Sequence, residues 1–141
     1  MGKNKHPGKP HKRHRGQYIG LPYLMLKHPS FQALSSDAVR VLLQMHLGFH
    51  GINNGQIGFS VRQAQSCLKS GSERAKRAID QLQEHGFIVC HADSCFNMKT
   101  KRAREWEITF QPMPNGVTSH KWKKNHSSNS ATDGSQVGAD F

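Results

Sequence analysis

The chain has 141 residues, 35% of them hydrophobic, and a formal net charge of +11. That length suits one domain with tails, the apolar share is too low for the whole chain to be packed, and no apolar run approaches the ~20 residues that cross a bilayer. The charge favours a polyanionic partner, since duplex DNA carries one negative charge per about 1.7 Å of its axis, with an anionic membrane surface and plain solubility as rival explanations.

Residues 1–17 contain Lys3, Lys5, Lys9, Lys12, Arg13 and Arg15 and no acid. With no aliphatic residue beyond Met1 they cannot bury apolar area, so they read as a disordered basic arm. Residues 18–111 form the foldable domain, and residues 112–141, rich in Ser, Asn, Gly and Thr, read as a polar flexible tail in which Trp122 is the odd feature. The domain opens on an apolar segment with Pro22 suited to a first helical turn. Next, Ala38, Val41, Leu42, Met45 and Phe49 recur at the spacing of an amphipathic helix behind the capping residues Ser35 and Ser36. Asn53-Asn54-Gly55 marks a turn before a short extended run, Gln56–Phe59.

Two helix starts follow ten residues apart. Ser60 with Gln63, and Ser70 with Glu73, both fit the reciprocal capping box. They predict helices over 61–68 and 71–85 with a tight turn at Lys69-Ser70. The first buries Val61, Ala64 and Leu68; the second buries Ala75, Ala78, Ile79 and Leu82. Gly86 before Phe87 fits a left-handed C-terminal cap. Two strand-like runs, FIVCH and EWEITF, complete a hairpin, with Trp106 and Ile108 packing it onto the helices.

The fold class is therefore mainly α with a small β-hairpin, an α+β arrangement. The stretches SVRQAQSCLKSGSERAKRAIDQLQEHGFI and KTKRAREWEITF resemble the winged helix-turn-helix family of phage, plasmid and bacterial regulators and replication proteins. The resemblance implies that helix 71–85 reads the major groove by its N-terminal half. On that reading Arg77, Lys76 and Arg74 contact bases, because arginine can pair bidentately with guanine. Ser70 and Ser72 at the helix start also contact the DNA, Ser72 by bonding phosphate or base, and Arg62, Gln63 and Lys69 hold phosphates. Lys99, Lys101, Arg102 and Arg104 make a basic wing for the minor groove or flanking backbone. The plain alternative is a solvated helix face with i, i+4 pairs such as Arg77–Gln81 and Lys76–Asp80.

The expected function is a sequence-specific, double-stranded DNA-binding protein that acts as a transcriptional regulator. A replication initiator on origin repeats, an RNA-binding module and a protein-interaction adaptor are the alternatives. The segment around Leu21–Leu34 either caps the core or forms a homodimer surface. Little room is left for a small-molecule ligand. Cys67, Cys90 and Cys95 are an odd count with no secretory signal ahead of them, which fits a cytoplasmic protein. Cys90, His91, Cys95 and nearby His85 lack paired metal-ligand spacing, so no cofactor or metal is expected, and Cys67 and Cys90 read as core packing. No phosphate-binding glycine loop or nucleophile elbow suggests an enzyme.

Overall fold

A computed structural model describes residues 16–92 and 103–124. The elements run α1 (Tyr23–Lys27), α2 (Pro29–Gln32), α3 (Ser36–His46), β1 (Ile57–Gly58), α4 (Val61–Leu68), α5 (Ser72–Glu84), β2 (Ile88–Ala92) and β3 (Glu105–Ile108). A further helical turn covers residues 121–124. The architecture is mixed: α3, α4 and α5 pack on one another, and a three-stranded antiparallel sheet of order β1-β3-β2 lies beside them. None of the described helices is long and apolar enough to cross a membrane.

Local sequence signals account for the helix limits. Ser35 caps α3 by accepting from the Ala38 N–H at 3.2 Å. Ser60 and Gln63 form the full capping box on α4: Ser60 Oγ accepts from the Gln63 N–H (3.2 Å) and Gln63 Oε1 accepts from the Ser60 N–H (2.8 Å). At the end of α5, the Phe87 N–H donates to the Leu82 carbonyl (2.9 Å) and the Gly86 N–H to that of Gln83 (3.0 Å). These are the two bonds of a Schellman cap, with Gly86 at φ 78°.

The apolar stripes meet in one core. Ala38, Val41, Leu42 and Met45 from α3, Ala64 from α4, and Ala75, Ala78, Ile79 and Leu82 from α5 are all buried. Val61 and Leu68 are only partly buried, because α4 offers a narrower face than its pattern suggests. Ile88, Trp106 and Ile108 close the core from the sheet. The Trp106 indole N–H donates to the Phe59 carbonyl (2.9 Å), so the largest core side chain also fixes the strand at β1. Asn54 is 1% exposed. Its side chain accepts from the Ile108 N–H (2.7 Å) and donates to the Ile108 and Gln111 carbonyls (both 2.9 Å), tying the turn before β1 to the end of β3. Leu21, Phe31 and Leu34 pack against the same core, which accounts for much of the N-terminal apolar segment.

The domain does not end at residue 111. Residues 112–124 run back over the sheet as a strap, and Trp122 is 2% exposed. Its ring lies parallel to that of Phe87 (centroids 6.4 Å apart) and meets His28 edge-on at 4.9 Å. Ser30 Oγ donates to the Trp122 carbonyl (2.9 Å), and the His120 N–H to the Thr109 carbonyl (2.9 Å). The strap also covers Glu107 of β3 and Thr109 just past its end, both of them buried. Glu107 accepts from Ser119 Oγ (2.9 Å) and bonds His91 Nε2 (2.7 Å); Thr109 Oγ1 donates to the Gly86 carbonyl (2.7 Å). A polar composition read this stretch as tail, but one large aromatic side chain with a ready surface is enough to hold it. The rest of the expected tail, residues 125–141, lies outside the described residues.

Candidate nucleic-acid interface

α4 and α5 are joined by a turn in which Lys69 takes the left-handed conformation (φ 50°). The Ser70 N–H donates to the Gln65 carbonyl (3.2 Å), so the chain turns tightly out of α4. Gly71, not Ser70, is then the N-cap of α5, and it provides no side-chain cap. The capping box expected from Ser70 and Glu73 therefore does not form. Its spacing is one residue out of phase: with Gly71 at the cap, Arg74 occupies the third helical position. Ser70 Oγ instead donates to the Gly71 carbonyl (3.2 Å), and Ser72 opens the helix exposed.

Arg74, expected among the base readers, is committed elsewhere. Its Nε donates to Asp37 Oδ2 (2.7 Å) and its Nη2 to Asp37 Oδ1 (2.9 Å), a two-bond clasp onto the first turn of α3. This hydrogen bonding holds the Asp37 carboxyl below the usual carboxylate range, with Arg74 and Arg77 charge adding to the effect, and raises the Arg74 guanidinium. Seven residues along the same face of α5, Gln81 Oε1 accepts from the Ser35 N–H (3.0 Å) and Ser35 Oγ (2.8 Å). α5 is thus held to the start of α3 by two polar clasps. Sequence periodicity puts Arg74 on the shoulder of the helix but does not say which neighbour stands beside it.

With Gln81 and Arg74 so engaged, other cations of the helix pair remain. Arg62, Lys69, Lys76 and Arg77 are all exposed, and none forms a salt bridge among the described residues. The pairing of Arg77 with Gln81 and of Lys76 with Asp80 is not made. The basic residues of α5 fall in its first half, whereas Asp80 and Glu84 occupy the second. The helix dipole adds positive potential at that same N-terminal end. Exposed cations outside salt bridges are open to an incoming anion, because no ion pair must first be broken.

Of the four cations assigned to the wing, only Arg104 is described; Lys99, Lys101 and Arg102 lie outside the described residues, as do Cys95 and residues 1–15 of the basic arm. Arg104 is half-buried beside β1, where its carbonyl accepts from the Phe59 N–H (3.0 Å). Cys67 and Cys90 are both of intermediate burial, and only Cys90 of the two packs against the core. Among the described residues no three His, Cys, Asp or Glu side chains converge as metal ligands. Sequence reasoning missed Arg40 of α3, whose Nε donates to the Cys67 carbonyl (3.0 Å) in the last turn of α4. Its position opposite a helix end was visible only once α3 and α4 were paired.

Comparison of the chain with protein-family models, with curated proteins and with solved structures finds no match.

Proposed function

We propose that the chain is a sequence-specific double-stranded DNA-binding protein of the winged helix-turn-helix type, acting as a transcriptional regulator. One observation carries this reading. Two short helices meet at a tight left-handed turn, and four exposed cations stand along them, none of them in a salt bridge among the described residues. The element order and the small β1-β3-β2 sheet are compatible with a winged fold.

On this reading α5 enters the major groove by its N-terminal half. Arg77 is the first base reader, with Lys76 beside it and Ser72 at the mouth. Arg62 and Lys69 take phosphates on the flank. Arg74 is a strut that sets the angle of α5 on α3, and it leaves the set of base readers. The wing and the arm add backbone affinity.

The test is selection from a random double-stranded DNA pool, using the full chain and a version lacking residues 1–17, at about physiological salt. Enrichment of one motif by both proteins is expected, and the symmetry of the motif reports whether two copies bind together. Absence of any motif, with RNA competing as well as DNA, refutes the regulator reading.

A further inference from the structure

The phosphate-binding flank formed by Arg62 and Lys69 extends from α4 toward α3 and β1. It is a groove of about 790 Å3 between α3, β1 and α4. Arg40, Arg62 and Lys69 line it together with Gln44, Gln63 and Ser66, and no Asp or Glu does. The groove between α3 and α5 differs in charge, since Asp37, Asp80 and Glu84 line it along with Arg74 and Arg77. The net charge of the chain alone does not make one groove free of carboxylates while its neighbour is mixed.

The cations of this groove are set at defined places. Arg62 and Lys69 stand at opposite ends of α4, about 10 Å apart along the axis at ~1.5 Å per residue. Arg40 faces them from α3. Its Nε is anchored on the Cys67 carbonyl (3.0 Å), while the Cys67 thiol donates back to the Arg40 carbonyl (3.9 Å). This reciprocal contact holds the stem of Arg40. Its terminal Nη groups form no hydrogen bond or salt bridge among the described residues. A guanidinium held by one nitrogen presents the other two as a preformed fork for phosphate.

The shape of the lining selects among anions. Single-stranded nucleic acid is normally held by exposed aromatic rings on which bases stack. Here the one aromatic residue is Phe59, which is 3% exposed and turned into the core. The other contacts on offer are amides and hydroxyls from Gln44, Gln63 and Ser66, groups that suit phosphate oxygens. We propose that this groove seats the sugar-phosphate backbone of double-stranded DNA, with Arg40, Arg62 and Lys69 as its cations, as a second track beside the helix that reads bases. The inference rests on duplex DNA being the ligand, and it adds Arg40 and the α3 side of α4 to the interface. The protein then grips the duplex along α3 as well as α4, and the groove contributes affinity without sequence preference.

The experiment measures binding of the full chain to a selected duplex and to a random-sequence duplex as salt is raised. It compares wild type, Arg40→Gln, Arg40→Lys, the double variant Arg62→Gln/Lys69→Gln, and Arg77→Gln. Each phosphate contact contributes about 0.9 to the slope of log affinity against log salt. Arg40→Gln is expected to lower the slope by about 0.9 on both duplexes equally, and the double variant by about 1.8. Over a fourfold rise in salt, this is a factor of about 3.5 per cation. Arg40→Lys is expected to keep the slope, since charge is retained. Arg77→Gln alone is expected to change discrimination between the two duplexes. If wild type binds, Arg77→Gln loses discrimination and the double variant lowers the slope while Arg40→Gln keeps the wild-type slope, the groove is overturned and the major-groove reading stands. If wild type binds neither duplex, both fail. A free-anion site is separated by titrating inorganic phosphate: chemical-shift changes at Arg40 and Ser66 with no change in the duplex salt slope of Arg40→Gln overturn the proposal.

Discussion

Removing the indole of Trp122 tests whether residues 112–124 belong to the domain. The side chain is 2% exposed, stacked on Phe87 and edge-on to His28. Truncating a buried Trp to Ala generally costs about 3–5 kcal/mol in transfer and cavity terms. Two features of this site reduce that figure. The strap lies at the edge of the fold and can relax into the space. The indole N–H is buried with no acceptor among the described residues, and removing an unsatisfied donor returns roughly 1 kcal/mol. Trp122→Ala is therefore expected to cost about 2–4 kcal/mol, a large part of the ~5–15 kcal/mol typical of a domain. In urea, followed by far-UV circular dichroism, the midpoint should fall by roughly 1–2 M. Trp122→Phe keeps a ring over Phe87 and removes the unpaired N–H, so it should lose less than half as much.

Gly86 gives an independent handle on the same contact. A Cβ there would sit 2.7 Å from the Lys121 carbonyl oxygen, at φ +78°. Gly86→Ala should cost about 1–2 kcal/mol for the left-handed backbone and a further share for displacing the strap. In the Trp122→Ala background that further share disappears, so the two losses should sum to less than their separate values. A midpoint within error of wild type for Trp122→Ala, or full additivity with Gly86→Ala, would refute the strap as a packed part of the core.

The helix starts give a contrasting pair: Ser60→Ala should lose about 1 kcal/mol with its capping box, whereas Ser70→Ala should leave stability nearly unchanged, and thermal melts of the two distinguish them. Arg77→Ala should weaken binding of the selected duplex and reduce its preference over random DNA by about 1–3 kcal/mol; equal loss on both would make Arg77 a phosphate contact. Asp37 has its carboxyl held low by Arg74, so the folded chain binds fewer protons than the unfolded one. Its contribution to stability is full above the ordinary carboxylate value of about 3.9 and is lost as pH falls through the lower folded value. Asp37→Asn should remove that part of the acid dependence, as equilibrium unfolding at stepped pH would report. His46 lies buried against Phe49 and Phe110, and burial lowers its pKa. Its neutral form supports the fold above about pH 6.5 and the support is lost as pH falls below that; His46→Gln should flatten stability there, and an unchanged slope would count against it.

The amino-acid sequence by itself determined the helices and where most of them stop. Serines 35 and 60, the apolar spacing of α3 and α5, and Gly86 act within one turn of the chain, so their effects are readable locally. The exposed cations of α4 and α5 were legible for the same reason: a helical wheel needs only the helix. The exception at Ser70 is instructive, because a left-handed Lys69 moved the cap by one residue and broke a correct-looking spacing.

Tertiary structure decided what depends on partners far apart in the chain. Only the packing of α3 on α5 brings Asp37 to Arg74 and turns an apparent base reader into a strut. Only the sheet order β1-β3-β2 places β1 against β3 and lets Asn54 bond Ile108. Only the free face of that sheet, with Phe87 beside it, draws Trp122 and its polar strap into the core. Composition measures the average tendency of a segment to bury itself, whereas one side chain over a complementary surface is enough to overrule that average.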